Sequence, residues 1–303
     1  MEVIKHKNVS WVDIRNPSER DLEFLKKEYG VHKDPLRELA IETATPKIDH
    51  FDNQLYAVIH FPVFNHEKRT SEGREVDMII TKSALITVRY DEIIPLEELH
   101  RTCTVSPVVK DECFSDTAAH LLFIILSHIY DYLMRELGHI KKNIDEIDST
   151  LFRVKESQMV RKILEIRRDI LNFRRTLAPQ KQILESMAER GGELLGKRSH
   201  ESFKDLIEAY NRVWCLLEYH KEAIEAIHET NNSLLSSRQN DTIQTLTILS
   251  VIAFYLTLIA AIFAVDAIYK PLIGWRYDFW AILGIMGVTV VILLGFFKWK
   301  KWW

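Results

Sequence analysis

Hydrophobic residues are distributed unevenly along this chain of 303 residues, and the longest apolar run lies near its end. The segment Leu246–Val265 contains no charged residue and no proline. Twenty helical residues rise about 30 Å, which is the hydrocarbon thickness of a bilayer. A second apolar run, Phe279–Phe297, follows after a short connection. The pattern predicts a membrane hairpin rather than two buried helices of a soluble protein, because each run exceeds the roughly 18 consecutive apolar residues that indicate a transmembrane helix.

The first part of the chain shows the shorter periods of a mixed α/β domain. A helix is predicted after Asn16 and ends at Gly30, and a second short helix is predicted over Pro35–Thr43. His66–Gly73 and Thr81–Ser83 have the composition of turns. Four β-rich runs are predicted as strands: Val9–Ile14, Leu55–Phe64, Glu75–Ile80 and Ala84–Tyr90.

From Ser115 onward the hydrophobic period becomes helical. Ser115–Phe152 predicts one long helix, and Glu156–Arg190 predicts a second, bent at Pro179 and ended by Gly191-Gly192. Between Phe203 and Leu234, hydrophobic residues recur at alternating steps of three and four, which defines a heptad seam. The seam includes two polar residues, His220 and Asn231, of the kind that fix helix register. No helix breaker separates this seam from the first apolar run, so a continuous helix over Ser202–Val265 would be about 95 Å long. The seam residues are Phe203, Leu206, Tyr210, Val213, Leu217, His220, Ile224, Ile227, Asn231 and Leu234.

These patterns predict an α+β cytoplasmic domain with a mixed sheet and helices, followed by long helices and a two-helix transmembrane hairpin. The tail after the second span is basic, and the positive-inside rule places it, and therefore both termini, in the cytoplasm. The predicted segments are an α/β domain over 1–114, a helical hairpin over 115–200, a stalk helix over 201–266 with its membrane part at about 243–265, an extracytoplasmic loop over 267–278, a second span over 279–297 and a cytoplasmic tail over 298–303.

Composition narrows the function classes. With 40 Lys+Arg against 43 Asp+Glu, the chain lacks the basic excess of a nucleic-acid-binding protein. The three cysteines form neither a disulfide framework nor a zinc pattern, which indicates a reducing compartment. The N-terminal residues lack the apolar segment of a cleavable signal peptide. We find no phosphate-binding, metalloprotease or serine-hydrolase motif, so we expect neither an enzyme nor a small organic substrate.

Three stretches resemble the CorA family of divalent-cation channels and transporters. WVDIRNPSERDLEFLKKEYGVH (Trp11–His32) is similar to the family's early strand–helix segment. TPKIDHFDNQLYAVIHFP (Thr45–Pro62) resembles its Arg-Pro-Lys stretch, with Thr45 in place of arginine. The two apolar runs and their basic tail resemble its membrane helices. The resemblance covers nearly the whole chain.

The resemblance implies a homopentamer in the bacterial or archaeal inner membrane, shaped as a cytoplasmic funnel above a central pore. The long helices line the pore, and divalent ions such as Mg²⁺ both pass through it and regulate it from the cytoplasm. At helical spacing one face of the first span presents Ile243, Leu246, Ser250, Phe254, Thr257, Ala261 and Ala264. Rings of hydroxyls can hold a hydrated ion and apolar rings can gate by dewetting. Alternatively, Thr247, Ser250 and Thr257 bond back to their own helix or pack against another helix.

The outer mouth departs from the family. Its signature Tyr-Gly-Met-Asn reads Phe263-Ala264-Val265-Asp266 here. Five aspartates would concentrate cations more strongly than five asparagine amides and would favour an ion that sheds water readily. We therefore expect Asp266 to alter ion selection; the alternative is a solvated carboxylate at a helix end.

Other candidate residues follow from the resemblance. Asn240 and Glu229 correspond to polar rings at the cytoplasmic entrance, or are exposed coiled-coil positions. Asp205 and Glu208, with Glu38 of a neighbouring subunit, correspond to the regulatory metal site, or are ordinary surface carboxylates; Arg37 next to Glu38 competes with a metal. Lys298, Lys300 and Lys301 form a basic collar, or more simply anchor the tail at the lipid headgroups.

The resemblance thus implies passive Mg²⁺/Co²⁺-type transport driven by the membrane potential, in contact with membrane lipid and with other copies of the chain. Two alternatives stay open. One is transport of another divalent ion such as Zn²⁺, because Gly-Met-Asn is replaced. The other is a non-conducting membrane scaffold or sensor that keeps the fold.

Overall fold

The computed structural model describes residues 1–51, 53–115, 117–151, 156–195, 198–265, 276–300 and 302. The chain divides into two compact units, Met1–His228 and Glu229–Trp303. In chain order the elements are β1 (Glu2–His6), β2 (Val9–Arg15), α1 (Glu19–Tyr29), α2 (Lys33–Glu38), β3 (Lys47–Phe51), β4 (Gln54–Asn65), β5 (Thr70–Ile80), β6 (Ala84–Arg89), α3 (Ile94–Val105), α4 (Pro107–Cys113), α5 (Ala118–Thr150), α6 (Glu156–Leu177), α7 (Gln180–Leu195), α8 (Arg198–Ala264) and α9 (Asp278–Trp299).

The first unit is built on a six-stranded mixed sheet with the order β1-β2-β6-β5-β4-β3. Strands β2 and β6 pair in parallel, whereas the other neighbours are antiparallel. Helices α1 and α2 cover one face around Tyr56, Val58 and Ile86. Helices α5, α6 and α7 pack on the sheet as well, and α3 and α4 pack against each other and on α5. The mixed sheet, the long helix and the two apolar helices confirm the predicted fold class.

Local sequence signals account for the first helix. Ser18 caps α1 by accepting a hydrogen bond from the Asp21 N–H, and Asp21 in turn accepts from the Ser18 N–H at 2.9 Å. Gly30 ends the helix with φ = 60°, a left-handed conformation that glycine adopts without steric cost. The predicted start after Asn16 and end at Gly30 are therefore confirmed.

Other elements differ from the sequence prediction for identifiable reasons. Helix α2 ends at Glu38 rather than Thr43, because the Thr43 N–H donates to the Glu75 carboxylate instead of continuing the helix. The helix predicted over Glu156–Arg190 is divided into α6 and α7, since Pro179 lacks the N–H that an uninterrupted helix needs. The break predicted at Gly191-Gly192 is wrong, as α7 continues to Leu195. The turn after β4 is shorter than predicted, because β5 begins at Thr70.

The predicted seam of α8 is buried as the heptad pattern requires. His220, one of its two polar members, is 1% exposed and hydrogen-bonds to the backbone of Leu137 on α5. Burial lowers the pKa of this imidazole. Along the seam, Phe203, Leu206, Tyr210, Val213, Leu217, His220, Ile224, Ile227 and Asn231 are all buried and Leu234 is half-buried.

A buried acidic pair lies on strand β5. Asp77 and Glu75 are 0% and 1% exposed. Asp77 accepts hydrogen bonds from the hydroxyls of Tyr56 at 2.8 Å and Tyr90 at 3.1 Å. Glu75 accepts from the Thr43 N–H at 2.6 Å. Burial raises the pKa of Asp77 to about 7, and the neighbouring Glu75 contributes in the same direction.

This shift predicts that stability falls as pH rises from about 4 to 7. Over that range the folded Asp77 keeps its proton while the unfolded side chain, with a pKa near 3.9, has lost it. The native state then binds more protons, so raising the pH favours unfolding. Asp77→Asn should flatten this part of the pH profile of the melting temperature, measured on the full chain in detergent. The exposed Asp131→Asn is the matched control; identical slopes in both variants would contradict the assignment.

Candidate functional site

Helices α8 and α9 each contain a segment long and apolar enough to cross a membrane. A further helix pair, α4 and α5, would pass the same criterion of length and composition only as a span bent by 113°. The apolar side chains of α5, such as Leu122 and Ile129, are instead buried in the first unit. Among the described residues, α8 and α9 are therefore the two spans.

The predicted pore-facing residues lie on one exposed side of α8. Ile243, Leu246 and Phe254 are 62%, 58% and 64% exposed, and Val265 at the end of the described segment is 60% exposed. These are large apolar side chains that the second unit leaves without cover. Thr247, at the edge of this face, is half-buried. Ser250, Thr257, Ala261 and Ala264, which continue the same face, are also exposed.

The opposite side of the α8 span is partly covered. Its half-buried side chains recur at steps of three and four residues, which defines a second stripe along the helix. At 100° per residue this stripe lies roughly across the helix from Phe254 and Thr257. Phe297, near the end of α9, is buried. The half-buried residues of the stripe are Ile248, Ile252, Leu256, Ile259 and Phe263, with Val251 beside them.

The hydroxyls on the exposed side are engaged as donors. Ser250 donates to the Leu246 carbonyl at 2.8 Å, and Thr257 donates to the Ala253 carbonyl at 2.8 Å. Thr247 bonds to Ile243 in the same way. This bonding back to the helix was one of the two alternatives raised by the sequence. It leaves the lone pairs of each oxygen available as acceptors, which is the role that a hydrated cation requires of its surroundings.

The pore candidates that precede the apolar span of α8 are polar and exposed. Asn240 and Glu229 are both exposed on α8. Asn240 lines a recess with Ile243, Gln244, Thr247 and Trp302. Sequence reasoning had not singled out Gln244 or Trp302, and their place beside Asn240 depends on the fold of the tail.

The mouth residues are described only in part. Ala264 ends α8 and Val265 follows it as an exposed residue. Asp266, the candidate for altered ion selection, lies outside the described residues. Its role therefore stays a prediction.

The candidate regulatory carboxylates occupy different elements. Asp205 and Glu208 are exposed and one turn apart on α8, so their side chains share a face. Glu38 lies at the end of α2, where the Lys47 ammonium contacts it at 2.6 Å and Asp49 at 2.8 Å. The described part of the chain holds no group of three or more Asp, Glu, His or Cys residues arranged to bind a metal.

Lys47 contacts the candidate residue Glu38, and the sequence alone did not indicate this contact. Burial opposes its charge, but the hydrogen bonds to Asp49 and Glu38 outweigh that effect and raise the pKa of Lys47. The signal was present in the Thr45-Pro46-Lys47 stretch, yet its contact with Glu38 depends on how β3 pairs in the sheet.

The basic tail is partly described. Lys298 and Lys300 are exposed, and the Lys300 ammonium lies 5.7 Å from the ring centroid of Phe296. The Trp302 ring stacks on Phe297 with ring centroids 5.6 Å apart, and the backbone N–H of Trp302 donates to the Phe297 carbonyl at 3.0 Å. Lys301 lies outside the described residues. Lysines alternating with tryptophans suit a membrane–water interface.

Comparisons with known proteins agree with this architecture. The chain is 23% identical over 292 residues to the putative metal ion transporter YfjQ of Bacillus subtilis, which covers 96% of this chain and 89% of that protein. It is also 23% identical over 297 residues to the cobalt/magnesium transport protein CorA of Thermotoga maritima, covering 97% and 83%. The solved CorA magnesium transporter of Methanocaldococcus jannaschii has the same fold, with a TM-score of 0.85, 20% identity, and coverage of 100% and 95%.

A family-level comparison covers almost the full length. Residues 6–299 match the sequence profile described as "CorA-like Mg2+ transporter protein". The match includes the sheet domain, the long helix and both apolar helices described above. The chain therefore belongs to the CorA-like Mg²⁺ transporter family.

Proposed function

We propose that this protein is a homopentameric channel for divalent cations of the Mg²⁺/Co²⁺ type, in the inner membrane of a bacterium or archaeon. The α8 helices of five subunits surround the pore, and both termini lie in the cytoplasm. Cation entry is passive, and the membrane potential favours it by about 2.3 kcal/mol per charge per 100 mV. Family membership supports the divalent-cation class, whereas the pentamer and its pore are our inference.

The observation that carries the proposal is the uncovered face of α8. It contains Phe254 and Leu246, which are bulky and apolar, together with the hydroxyls of Ser250 and Thr257. A helix face that contacts only lipid needs no hydroxyl groups, so their presence on this face supports a different environment. In a ring of subunits, the same face supplies alternating apolar constrictions and polar rings, which is the arrangement that gates and coordinates ions in channels.

The hydroxyl geometry suits a cation that keeps its water. Mg²⁺ gives up its hydration shell reluctantly, and the waters around it point their hydrogens outward. Ser250 and Thr257 each donate a hydrogen bond to a helix carbonyl, so the lone pairs of their oxygens can accept hydrogen bonds from those waters. Five such oxygens at one level would hold the hydrated ion without replacing its ligands.

Regulation is proposed to depend on carboxylates at a subunit boundary. Asp205 and Glu208 of one subunit, with Glu38 of the next, would bind Mg²⁺ through oxygen atoms and water. This set is divided between two chains, which is compatible with the lack of a three-ligand cluster in the described part of one chain. Bound ions would hold neighbouring subunits together and close the pore when cytoplasmic Mg²⁺ is high.

Thr257→Val should lower Mg²⁺ flux into liposomes by about tenfold, the effect of losing a hydrogen bond worth about 1.4 kcal/mol. Valine keeps the shape of threonine but offers no acceptor. The assay compares Mg²⁺, Co²⁺, Ni²⁺ and Zn²⁺, because the ion carried distinguishes the magnesium-type channel from its zinc alternative. Absence of flux for every ion would favour a non-conducting scaffold.

Thr289→Val on α9 is the matched control for this substitution. Thr289 donates to the Ile285 carbonyl at 2.9 Å, as Thr257 does to Ala253, but it lies on the second span. The control should leave flux nearly unchanged. Equal losses in both variants would show that the hydroxyl stabilises a helix rather than lines a pore.

Asp266→Asn should change the order in which the four ions are transported. It removes up to five negative charges from the proposed mouth, so uptake at low ion concentration should fall most for the ion that the carboxylates hold best. Asp278→Asn, at the start of α9, removes the same charge near the same connection. An unchanged ion profile in Asp266→Asn, or the same change in Asp278→Asn, would refute the selectivity role.

Asp205→Asn should raise the Mg²⁺ concentration needed for half-inhibition of flux by about tenfold, the usual cost of weakening a metal site. It should also reduce the Mg²⁺-dependent rise in melting temperature, which measures binding directly. The exposed Glu222→Gln on the same helix is the control. If Asp205→Asn keeps both the inhibition and the thermal stabilisation, the regulatory site lies elsewhere.

A further inference from the structure

Two buried thiols meet where helices α3 and α4 pack together. Cys103 lies near the end of α3, and Cys113 is the last residue of α4. Their sulfur atoms are 3.4 Å apart, and the residues are 0% and 1% exposed. Neither cysteine belongs to the proposed ion pathway or to the regulatory carboxylates.

The geometry of this pair is close to that of a covalent link. A disulfide bond is about 2.05 Å long, so the sulfurs need to approach by only about 1.4 Å. Rotation of both side chains can supply such a movement. The turn at Ser106, whose side chain accepts from the Val109 N–H, already brings the two helices alongside each other.

The two sulfurs are chemically unequal. The Cys103 thiol donates a hydrogen bond to the Cys113 sulfur, and this bond lowers the pKa of Cys113 although burial opposes it. The same bond, together with burial, raises the pKa of Cys103. Thiolate is the nucleophilic form of cysteine, so Cys113 is the sulfur suited to react first.

We propose that Cys103 and Cys113 are a site of reversible oxidation, at which a peroxide forms an intrachain disulfide. The Cys113 thiolate attacks one peroxide oxygen; the O–O bond breaks, and hydroxide leaves and takes up a proton to become water. The Cys113 sulfenic acid that results is attacked by the Cys103 sulfur, which forms the S–S bond and releases a second water. Two thiols lose two electrons and peroxide gains them. A low-molecular-weight thiol reverses the reaction by disulfide exchange.

The surroundings fit a transient rather than a permanent bond. Both sulfurs are buried, so peroxide reaches them when the segment around the turn opens locally. Helix α4 has only seven residues. Val105 and Val108 beside the turn are each 77% exposed, so few other residues pack over this segment and oppose its local opening. Intracellular disulfides of such cysteine pairs are typically redox-responsive.

The test uses the full-length protein in detergent, treated with hydrogen peroxide, quenched, denatured and labelled with a maleimide. We expect one labelled cysteine per chain instead of three, and an intact mass two hydrogen atoms lower than that of the reduced chain. After tryptic digestion, the peptide containing Cys103 (102–110) should be joined to the peptide containing Cys113 (111–135), and reductant should separate them.

The third cysteine supplies the matched control. Cys215 is exposed on α8, so Cys215→Ser should leave the linked peptides unchanged. Cys103→Ala should abolish the link and let a sulfenic acid accumulate on Cys113. The proposal is overturned if Cys103 and Cys113 of the wild-type chain stay free while Cys215 oxidises, or if every link found passes through Cys215. Both outcomes are read on wild-type protein, so they do not depend on the stability of a variant.

Discussion

Backbone hydrogen bonding is the constraint on which the membrane part of this structure depends. Hydrocarbon offers no partner to a peptide N–H or carbonyl, so a spanning segment must satisfy all of them internally. Helix α8 does so without interruption from Arg198 to Ala264. The same uninterrupted helix therefore contains both the residues of the heptad seam and those of the apolar span. The chain is accordingly an integral membrane protein of a divalent-cation transporter family.

Side-chain chemistry in the span follows from the same constraint. A hydroxyl in an apolar helix needs an acceptor for its hydrogen bond, and the backbone carbonyl one turn earlier is the nearest one. Ser250 and Thr257 both take this solution. The hydrogen bond from each hydroxyl to the backbone carbonyl therefore directs the hydrogen into the helix and leaves the lone pairs of the oxygen exposed as acceptors. Structural and ion-binding interpretations of these hydroxyls are compatible on this account.

Much of the fold was predictable because its signals are local or strongly periodic. The seam from Phe203 onward follows from a regular heptad period, and the end of α1 at Gly30 follows from a local signal; both were predicted. The early end of α2 was missed because the Thr43 N–H bonds to Glu75, a partner 32 residues away. Strands β1 and β3 were missed because short strands at sheet edges show little alternation.

The candidate site was predictable only in outline. Helical spacing places the pore candidates on one face of α8, and the structure leaves that face uncovered. Spacing alone does not show whether lipid, protein or water covers this face. The metal candidates are harder still. Neither the separation of Glu38 from Asp205 in the sequence nor the charge of Arg37 reveals that Lys47 contacts Glu38, because that contact depends on strand pairing.

The position of Lys47 between Glu38 and Asp49 has a thermodynamic consequence. If Glu38 takes part in the proposed regulation, a divalent ion would meet a carboxylate already paired with Lys47, so its binding would exchange one cation for another. The net affinity of Glu38 for the divalent ion would then be the difference between its attraction to that ion and its attraction to the Lys47 ammonium. Both attractions weaken as the salt concentration rises. Release of the ammonium would remove one contact between the end of α2 and β3, whereas the stacking of His32 on Phe51 would continue to hold the start of α2 to this edge strand.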